Sequence, residues 1–345
     1  MRQDLSDMPA VLLDWYADNA RDLPWRVGPR ARAKGQRPDP YHVWLAEIMM
    51  QQTTIPHGTR YFLEFVRRWP SVTDLASAKD KEVMAAWAGL GYYARARNLL
   101  KCARIVAERG GFPETSDALI KLPGIGPYTA GAVAALAFGE RAAAVDGNVE
   151  RVFSRLLALG GDWTTAKTKI RKRVASLVPA DRPAEFAEGL MDLGATICSP
   201  KRPNCLICPI TAFCKARAKG EAERYPVKGK KKPVPHRAGH VFLLMDKKGQ
   251  LFLERRADSG LLGGMLGLPG SEWVEDKVAE MSGAPAKANW QNCGEVRHVF
   301  THFSLTLQVW QGELIGRRPK GEWTALKDVD GLPSVFAKAT KLLSR

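Results

Sequence analysis

The chain has 345 residues, of which 45% are hydrophobic, and its 52 Lys and Arg outnumber its 36 Asp and Glu to give a net charge of +16. This length and composition allow two domains with separate cores. The longest wholly apolar run, Ala132–Phe138, is far shorter than the roughly 20 residues that span a bilayer, which excludes a membrane segment.

The positive charge is unevenly distributed along the chain. Residues 1–220 carry 32 basic against 22 acidic residues, residues 221–237 carry 6 against 2, and residues 238–345 carry 14 against 12. This excess favours a polyanion as the partner of the first part, although a basic solvated surface would give the same count. The start, Met1–Asp7, has two acids and no apolar core, so it predicts no signal peptide and a cytoplasmic protein.

Residues 7–20 have apolar positions at helical spacing and predict a packed amphipathic helix. The polar stretch Val27–Pro40, rich in Pro, Gly and Arg, predicts a loop. Helical spacing returns in Tyr41–Thr53, where Glu47 falls on the apolar face. Burial would raise the pKa of this carboxyl and make it a proton donor near neutral pH. A buried glutamate tied to an arginine or to backbone amides is the alternative.

A glycine-rich turn lies within Ala86–Arg97 and offers two tyrosines and two arginines. Aromatic and guanidinium groups beside a flexible backbone suit stacking on bases and pairing with phosphate. Core packing of one of these tyrosines is an equally good interpretation.

The segment Leu122–Ala130 predicts a helix-hairpin-helix that binds a DNA backbone. Gly124 and Gly126 can take positive φ, and Pro127 suits the first turn of a helix whose amides face an anion. No strand precedes the glycines and no Gly-Lys-Ser/Thr follows them, which argues against a dinucleotide site and a P-loop. An ordinary tight turn between packed helices remains the alternative.

Asp146 follows one helix later and precedes helical spacing through Leu157. As an N-cap it would be held ionised by backbone amides. Burial would favour the neutral form of Glu47, and the capping bonds would favour the anion of Asp146. Such a difference assigns the role of acid to the first carboxyl and that of electrostatic stabiliser to the second.

Four cysteines leave gaps of six, two and five residues: Cys198, Cys205, Cys208 and Cys214. Thiolates this close together predict a metal centre, and their spacing leaves both tetrahedral zinc and a cubane iron-sulfur cluster open. Lys201 and Arg202 lie in the first gap, where they could meet phosphates.

Residues 221–237 read as a basic linker. Beyond them, strand patterns in Val241–Met245, Leu251–Leu253 and Ser304–Trp310, with helices near 272–281 and 333–344, predict an α+β domain over 238–345. Ser259–Gly270 is similar to the entrance of a Nudix fold. No acidic run follows it, so pyrophosphatase activity is not expected.

Together these motifs resemble the MutY-type adenine DNA glycosylases of the helix-hairpin-helix superfamily over almost the whole chain. The matching motifs are Trp44–Thr53, Gly89–Arg97, the hairpin, Val145–Val149, Met191–Ala195 and the cysteine loop 198–214, whose gaps are those of the family's 4Fe-4S cluster. The resemblance implies a mainly α glycosylase domain over 1–220 with the cluster loop, the linker, and a Nudix-like α+β domain.

The resemblance also implies residue roles. Glu47 would be the general acid and Asp146 the stabilising carboxylate. Other residues would line or support the adenine pocket, wedge into the base stack or grip the DNA backbone: Tyr128, Asn148, Glu188, Arg26 and Trp25 at the pocket, Gln52 and Tyr92 as wedges, Gly124, Gly126, Lys201 and Arg202 at the backbone.

Tyr128 distinguishes this chain from bifunctional relatives resembling endonuclease III, which have a lysine at this position. A phenol cannot form the Schiff base that leads to strand cleavage. We therefore expect a monofunctional glycosylase that removes adenine mispaired with 8-oxoguanine or guanine in double-stranded DNA, acting as a monomer. A bifunctional glycosylase-lyase, a Nudix-type phosphohydrolase and a non-catalytic iron-sulfur DNA-binding protein are the alternatives.

In the family the C-terminal domain recognises 8-oxoguanine, and the contact loop matches Val299–His302. Phe300, Thr301 and His302 are the candidate contacts, with threonine where many relatives have serine. Segment 27–40 is a second departure, because the family usually crosses here in fewer residues. It either adds DNA contacts near the pocket or is a disordered insertion.

Overall fold

Apolar residues at helical spacing fold the first part of the chain into helices. The structure, a computed structural model, describes residues 4–227, 233–257, 260–275, 281–300, 302–329 and 331–343. Two units are separated by their internal contacts, one of Met1–Ala78 with Asn98–Lys230 and one of Lys79–Arg97 with Lys231–Arg345. Among the described residues no helix combines the length and apolar character of a membrane span.

The first unit is helical. Its helices are α1 (Met8–Asn19), α2 (Pro29–Arg32), α3 (Pro40–Met49), α4 (Ile55–Arg68), α5 (Val72–Ser77), α8 (Ser116–Leu119), α9 (Pro127–Val133), α10 (Gly147–Leu157), α11 (Trp163–Leu177), α12 (Pro183–Thr196) and α13 (Lys215–Ala218). α6 (Asp80–Ala86) belongs to the second unit, and α7 (Ala94–Arg109) begins there and continues into the first.

Helix α12 lies at the centre of the first unit. It packs against α1, α10 and the π-helical turn Ala134–Phe138 that continues α9. Small and aliphatic residues make this possible, and all but the last two residues of α12 are buried. Each fully buried aliphatic side chain contributes roughly 1.5–3 kcal/mol, so this helix anchors the residues that it carries.

Two predicted helices and one predicted loop of this unit can be compared with the structure. The prediction for residues 7–20 is confirmed by α1, and the prediction for 41–53 by α3, although α3 ends at Met49. The loop predicted for 27–40 is wrong in part, because α2 begins at Pro29 with Gly28 as its N-cap. Proline at the first helical position needs no amide partner, which is why a helix can start in a proline-rich stretch.

The second unit contains a mixed sheet. Its strands are β1 (His236–Met245), β2 (Gln250–Arg255), β3 (Leu266–Gly267), β4 (Gln291–Val299), β5 (Ser304–Glu313) and β6 (Glu322–Ala325). The order is β3-β2-β1-β5-β4, with β6 on β2. β1 and β5 are parallel and pair residue by residue from His236 opposite Ser304, and the other pairs are antiparallel.

Helix α14 (Ser334–Thr340) confirms the helix predicted near 333–344. The helix predicted near 272–281 is wrong for residues 272–275, because Val274 forms a bridge to Ala238 on β1. Residues 276–280 lie outside the described residues. One face of the sheet buries Leu305, Leu307 and Val309 with Phe336 of α14, and forms the core of this unit.

Candidate active site

Glu47 lies in the last turn of α3, between the buried residues Ala46 and Ile48. Burial raises the pKa of its carboxyl to about 7, and the negative charges of Asp146 and Glu188 act in the same direction. A hydrogen bond from Tyr128 and the charge of Arg26 oppose the shift. The raised pKa is the one that the sequence predicts for a buried Glu47, and the groups that modify it come from distant parts of the chain.

Tyr128 is the direct partner of this carboxyl. Its hydroxyl donates to Oε2 of Glu47 at 2.6 Å. Burial, and then the charge of Glu47, raise the pKa of Tyr128 well above its usual value of 10. The phenol therefore stays protonated at neutral pH, where its hydroxyl can donate to the Glu47 carboxylate.

Asp146 is the N-cap of α10. Its Oδ1 accepts from the Val149 amide at 2.7 Å, and its Oδ2 accepts from the Asn148 side chain at 2.8 Å. The predicted capping bonds are present, and they lower the pKa of Asp146. Burial acts in the opposite direction and prevails, so the pKa is raised. The expectation that Asp146 is driven towards the anion is therefore wrong in its net direction.

Arg151, one turn further along α10, connects this carboxylate to the cysteine loop. It donates to Oδ1 of Asn148 at 2.8 Å, to the carbonyl of Gly194 at 2.7 Å and to the carbonyl of Cys198 at 2.8 Å. No local sequence pattern singles out this residue. A glycine is needed at position 194, because a β-carbon there would lie 2.6 Å from Cβ of Asn148.

Glu188 is buried on α12 and is 1% exposed. Its Oε2 accepts from the hydroxyl of Tyr16 at 2.7 Å, and its Oε1 lies 3.6 Å from Nε of Arg26. Arg26 also donates to both oxygens of the fully buried Asp192 at 2.9 Å. Tyr16 lies within the helix predicted for residues 7–20 and Asp192 within the motif Met191–Ala195, and no local pattern pairs them with Glu188 or Arg26.

The other predicted pocket and wedge residues differ in exposure. Trp25 is buried and packs edge-on against Phe62 with ring centroids 5.2 Å apart. Gln52 and Tyr92 are exposed. Both have the left-handed backbone conformation that residues other than glycine rarely adopt, with φ of 58° and 51°. Such backbone conformations cost about 1–3 kcal/mol and concentrate at functional sites. In the second unit, Arg95 lies 5.4 Å over the ring of Tyr92.

The hairpin has the predicted helix start at Pro127. Gly124 takes positive φ (77°), and a β-carbon there would lie 2.8 Å from Cβ of Asn98. Gly126 instead has an extended conformation (φ −94°) as the N-cap of α9. Of these two glycines, only Gly124 adopts the expected left-handed conformation.

The cysteine loop follows α12. Burial raises the pKa of Cys205, Cys208 and Cys214, and the charges of neighbouring cysteines add to the shift. The negative charges of these thiolates would oppose one another's ionisation, and a bound cation would offset that cost by replacing the protons of the thiols. Within the part of the chain that the structure describes, no three His, Cys, Asp or Glu side chains are already arranged around a metal position.

Arg155 fixes the start of this loop. Its guanidinium is fully buried and donates to the Cys198 sulfur at 3.2 Å and to the carbonyls of Cys198, Ser199 and Pro200. The predicted phosphate contacts, Lys201 and Arg202, are both exposed beside it. The donor set and its supporting arginine thus fit a metal centre whose first loop presents positive charge.

The predicted lesion contacts lie in the turn between β4 and β5. Phe300 is partly buried, stacks on Trp273 at 5.7 Å and contacts Phe303. His302 is exposed, and Thr301 lies outside the described residues. Part of this turn is therefore packed onto the sheet core.

Comparisons with known proteins fit this arrangement. Residues 45–180 match the HhH-GPD superfamily of base excision DNA repair proteins, and residues 240–342 match the NUDIX domain. An adenine DNA glycosylase from Buchnera aphidicola (subsp. Acyrthosiphon pisum) is 32% identical, over 95% of each chain. The human adenine DNA glycosylase is 34% identical, over 92% of this chain and 69% of its own length.

Two solved structures share the helical fold. A thermostable thymine-DNA glycosylase has a TM-score of 0.54 and 30% identity, over 63% of this chain and all of its own. A trapped endonuclease III–DNA covalent intermediate has a TM-score of 0.52 and 23% identity, over 64% of this chain and 98% of its own.

The helical unit and its carboxylate site define a base excision DNA repair protein of the HhH-GPD superfamily, with a NUDIX domain in its C-terminal part. The chain is a DNA glycosylase, and DNA is its substrate. Within that superfamily it belongs to the adenine DNA glycosylases.

Proposed function

We propose that this protein is a monofunctional glycosylase that hydrolyses the N-glycosidic bond of adenine mispaired with 8-oxoguanine or guanine. The observation that carries the proposal is Glu47, whose pKa is raised to about 7 and whose carboxyl accepts a hydrogen bond from the buried phenol of Tyr128. The adenine must leave the base stack to reach this carboxyl, which costs a few kcal/mol. The exposed wedges Gln52 and Tyr92 would help by filling the vacated stack.

Glu47 acts as the general acid. We assign the acid proton of neutral Glu47 to Oε1, where it is available to the base, because Oε2 accepts from Tyr128. Protonation of the five-membered ring of adenine draws electrons from the glycosidic bond and makes the base a better leaving group. A positioned acid of this kind contributes roughly 10²–10⁴ in rate.

Asp146 stabilises the positive sugar that remains. Both of its oxygens accept hydrogen bonds from α10, which holds the carboxylate in one orientation without a conformational change during the reaction. Trp25, Arg26 and Glu188 support the adenine. Water then completes the hydrolysis, because Tyr128 stands where bifunctional relatives have a lysine and offers no amine for a Schiff base.

We propose that the four cysteines hold a 4Fe-4S cluster. The proposal is supported by the gaps between them and by Arg155, which donates to the Cys198 sulfur. When bound, the cluster supplies a structural cross-link of the loop and no step of the bond cleavage. Lys201 and Arg202 then contact phosphates beside the hairpin residues Gly124 and Gly126. Colourless protein with stoichiometric zinc and no iron would contradict this assignment.

The turn around Phe300 and His302, with Thr301, is proposed to recognise the 8-oxoguanine. Exposed His302 offers hydrogen-bonding nitrogens. Every proposed site residue comes from one chain, so a monomer is sufficient. A DNA substrate implies an enzyme that associates with DNA, and we place this enzyme in the cytoplasm.

The test is incubation with duplexes that contain adenine opposite 8-oxoguanine, opposite guanine and opposite thymine, followed by alkali to reveal abasic sites. We expect alkali-dependent cleavage of the first two. Strand cleavage without alkali would contradict the monofunctional mechanism, and an unchanged duplex would contradict the substrate. Glu47→Gln should bind the same duplexes and lose at least about 100-fold in excision rate, since an amide cannot give up a proton.

A further inference from the structure

Arg32 connects the extra segment 27–40 to residues of the candidate pocket. Arg32, the last residue of α2, is 6% exposed in its side chain. Its Nε donates to the carbonyl of Val27 at 2.9 Å, and both terminal nitrogens donate to the carbonyl of Leu136 at 3.3 Å. The guanidinium therefore bridges this segment to the π-helical turn behind the hairpin.

The same guanidinium reaches Glu188. Its Nη2 lies 3.5 Å from Oε1 of that carboxylate, whose other oxygen is occupied by the hydroxyl of Tyr16. Nε of Arg26 lies 3.6 Å from the same Oε1, whereas Nη1 of Arg26 donates to Asp192. Glu188 thus has two buried cations at one oxygen, and one of them comes from a segment that the sequence left without a role.

We propose that Arg32 is a positioning residue that holds the Glu188 carboxylate for the amino group of adenine and so contributes to the choice of base. The inference rests on the proposed function. Adenine presents an amino donor at the six position, where guanine presents a carbonyl acceptor. A carboxylate accepts hydrogen bonds only, so a fixed Glu188 attracts the first base and repels the second.

A guanidinium suits this task better than an ammonium. It is planar and presents five donors in a fixed fork, so it can hold two backbone carbonyls and a carboxylate edge together. Lysine would keep the charge but lose most of that geometry. Loss of the charge leaves Glu188 buried with one cation fewer, and its orientation then depends on Tyr16 and Arg26.

The test compares adenine with purine, which lacks the amino group, at the same position opposite 8-oxoguanine in single-turnover excision with saturating enzyme. Arg32→Met should lower the adenine rate by roughly 10- to 100-fold, the size expected for one hydrogen bond to a charged group. The purine rate should change by less than about threefold. Arg32→Lys should keep a larger share of the adenine-to-purine ratio than Arg32→Met.

Two controls separate positioning from folding. Arg30→Met removes an exposed arginine from the same short helix and should leave both rates unchanged. In a Glu188→Gln background, Arg32→Met should cause little further loss, because the two changes act on one contact. If Arg32→Met does not fold, Arg32→Lys carries the comparison.

An equal loss for adenine and purine, or no loss for either, would overturn the role of Arg32. Failure of the proposed function looks different, since wild-type protein would then release no adenine from the mispaired duplex.

Discussion

Glu47 links the stability of the fold to pH. Its pKa is raised to about 7 from an ordinary value of 4.5, so between these values the folded state keeps a proton that the unfolded state has lost. Unfolding then releases a proton, and stability falls as pH rises through this window. Above pH 7 both states are ionised, and the folded state bears the whole penalty of a buried charge.

We therefore expect Glu47→Gln to be more stable than the wild type at pH 8, by up to about 3 kcal/mol, and nearly equal to it at pH 5. The amide keeps an oxygen for the Tyr128 hydroxyl and never ionises. Thermal midpoints of both proteins at the two pH values measure the difference. Exposed Glu108 provides the control, because Glu108→Gln should show no such pH-dependent gain. A midpoint of Glu47→Gln below that of the wild type at pH 8 would contradict the burial argument.

Asp146→Asn should lose excision activity and keep its fold. Asparagine caps helices about as well as aspartate, and its oxygen can still accept from the Val149 amide, but it brings no negative charge to the sugar. Single-turnover rates and thermal midpoints report the two effects separately. Asp162→Asn is the matched control, since Asp162 caps α11 through the Thr165 amide at the same distance of 2.7 Å. Unfolding of the Asp146 variant alone would favour a structural role.

At the scale of elements, α10 connects the proposed catalytic carboxylate to the cysteine loop. Its start carries Asp146 and Asn148, and Arg151 one turn later contacts the first cysteine of the loop. The position of the carboxylate therefore depends on a segment that takes no part in bond cleavage.

Arg151→Met should lower the excision rate by roughly 10- to 100-fold with DNA affinity and iron content nearly unchanged, because Asn148 loses the donor that orients it. Single-turnover kinetics, binding titration and iron analysis on one preparation test this. Arg171→Met, at an exposed position of α11, should change none of the three. Loss of iron together with activity would show instead that Arg151 serves the loop.

The sequence predicted elements well where periodicity and motifs coincide. Glu47 on the apolar face of α3 and Asp146 as an N-cap follow from spacing of neighbouring residues. The partners that complete the site were missed because they come from far away in the chain. Tyr16 meets Glu188 across 172 positions, and neither side chain has a local pattern that predicts the pair.

The same limit explains segment 27–40 and the net shift at Asp146. Helix α2 has only four residues, too short for a periodic signal, and what holds it is the contact of Arg32 with Leu136, 104 positions away. At Asp146 the capping bonds could be predicted from sequence, whereas the burial that outweighs them is a property of the folded unit.

At the scale of the whole molecule, the net charge of +16 governs encounter with DNA. Exposed lysines and arginines attract any duplex through its phosphates and release counterions, so affinity falls steeply with salt. Phosphate contacts carry no base information, so we expect selectivity to come from the proposed adenine pocket and from the turn around Phe300 and His302.

Neutralising Lys201 and Arg202 together should therefore weaken binding to all duplexes alike. We expect the slope of log affinity against log salt to fall by about 0.9 for each lost contact, and the preference for a mispair over a matched duplex to stay the same. Neutralising the exposed pair Lys247 and Lys248 is the charge-matched control and should leave the slope unchanged. A selective loss of mispair preference in the first variant would assign these residues to lesion recognition.

Gly194 gives this protein a point of mutational fragility. Any substitution of this glycine adds at least a β-carbon, and at position 194 that β-carbon would lie 2.6 Å from Cβ of Asn148. The start of α10 would have to move away from α12, taking Asp146 and Asn148 with it, while the exposed basic residues stay in place. A substitution at Gly194 would thus leave DNA binding largely intact and lower the rate of base excision.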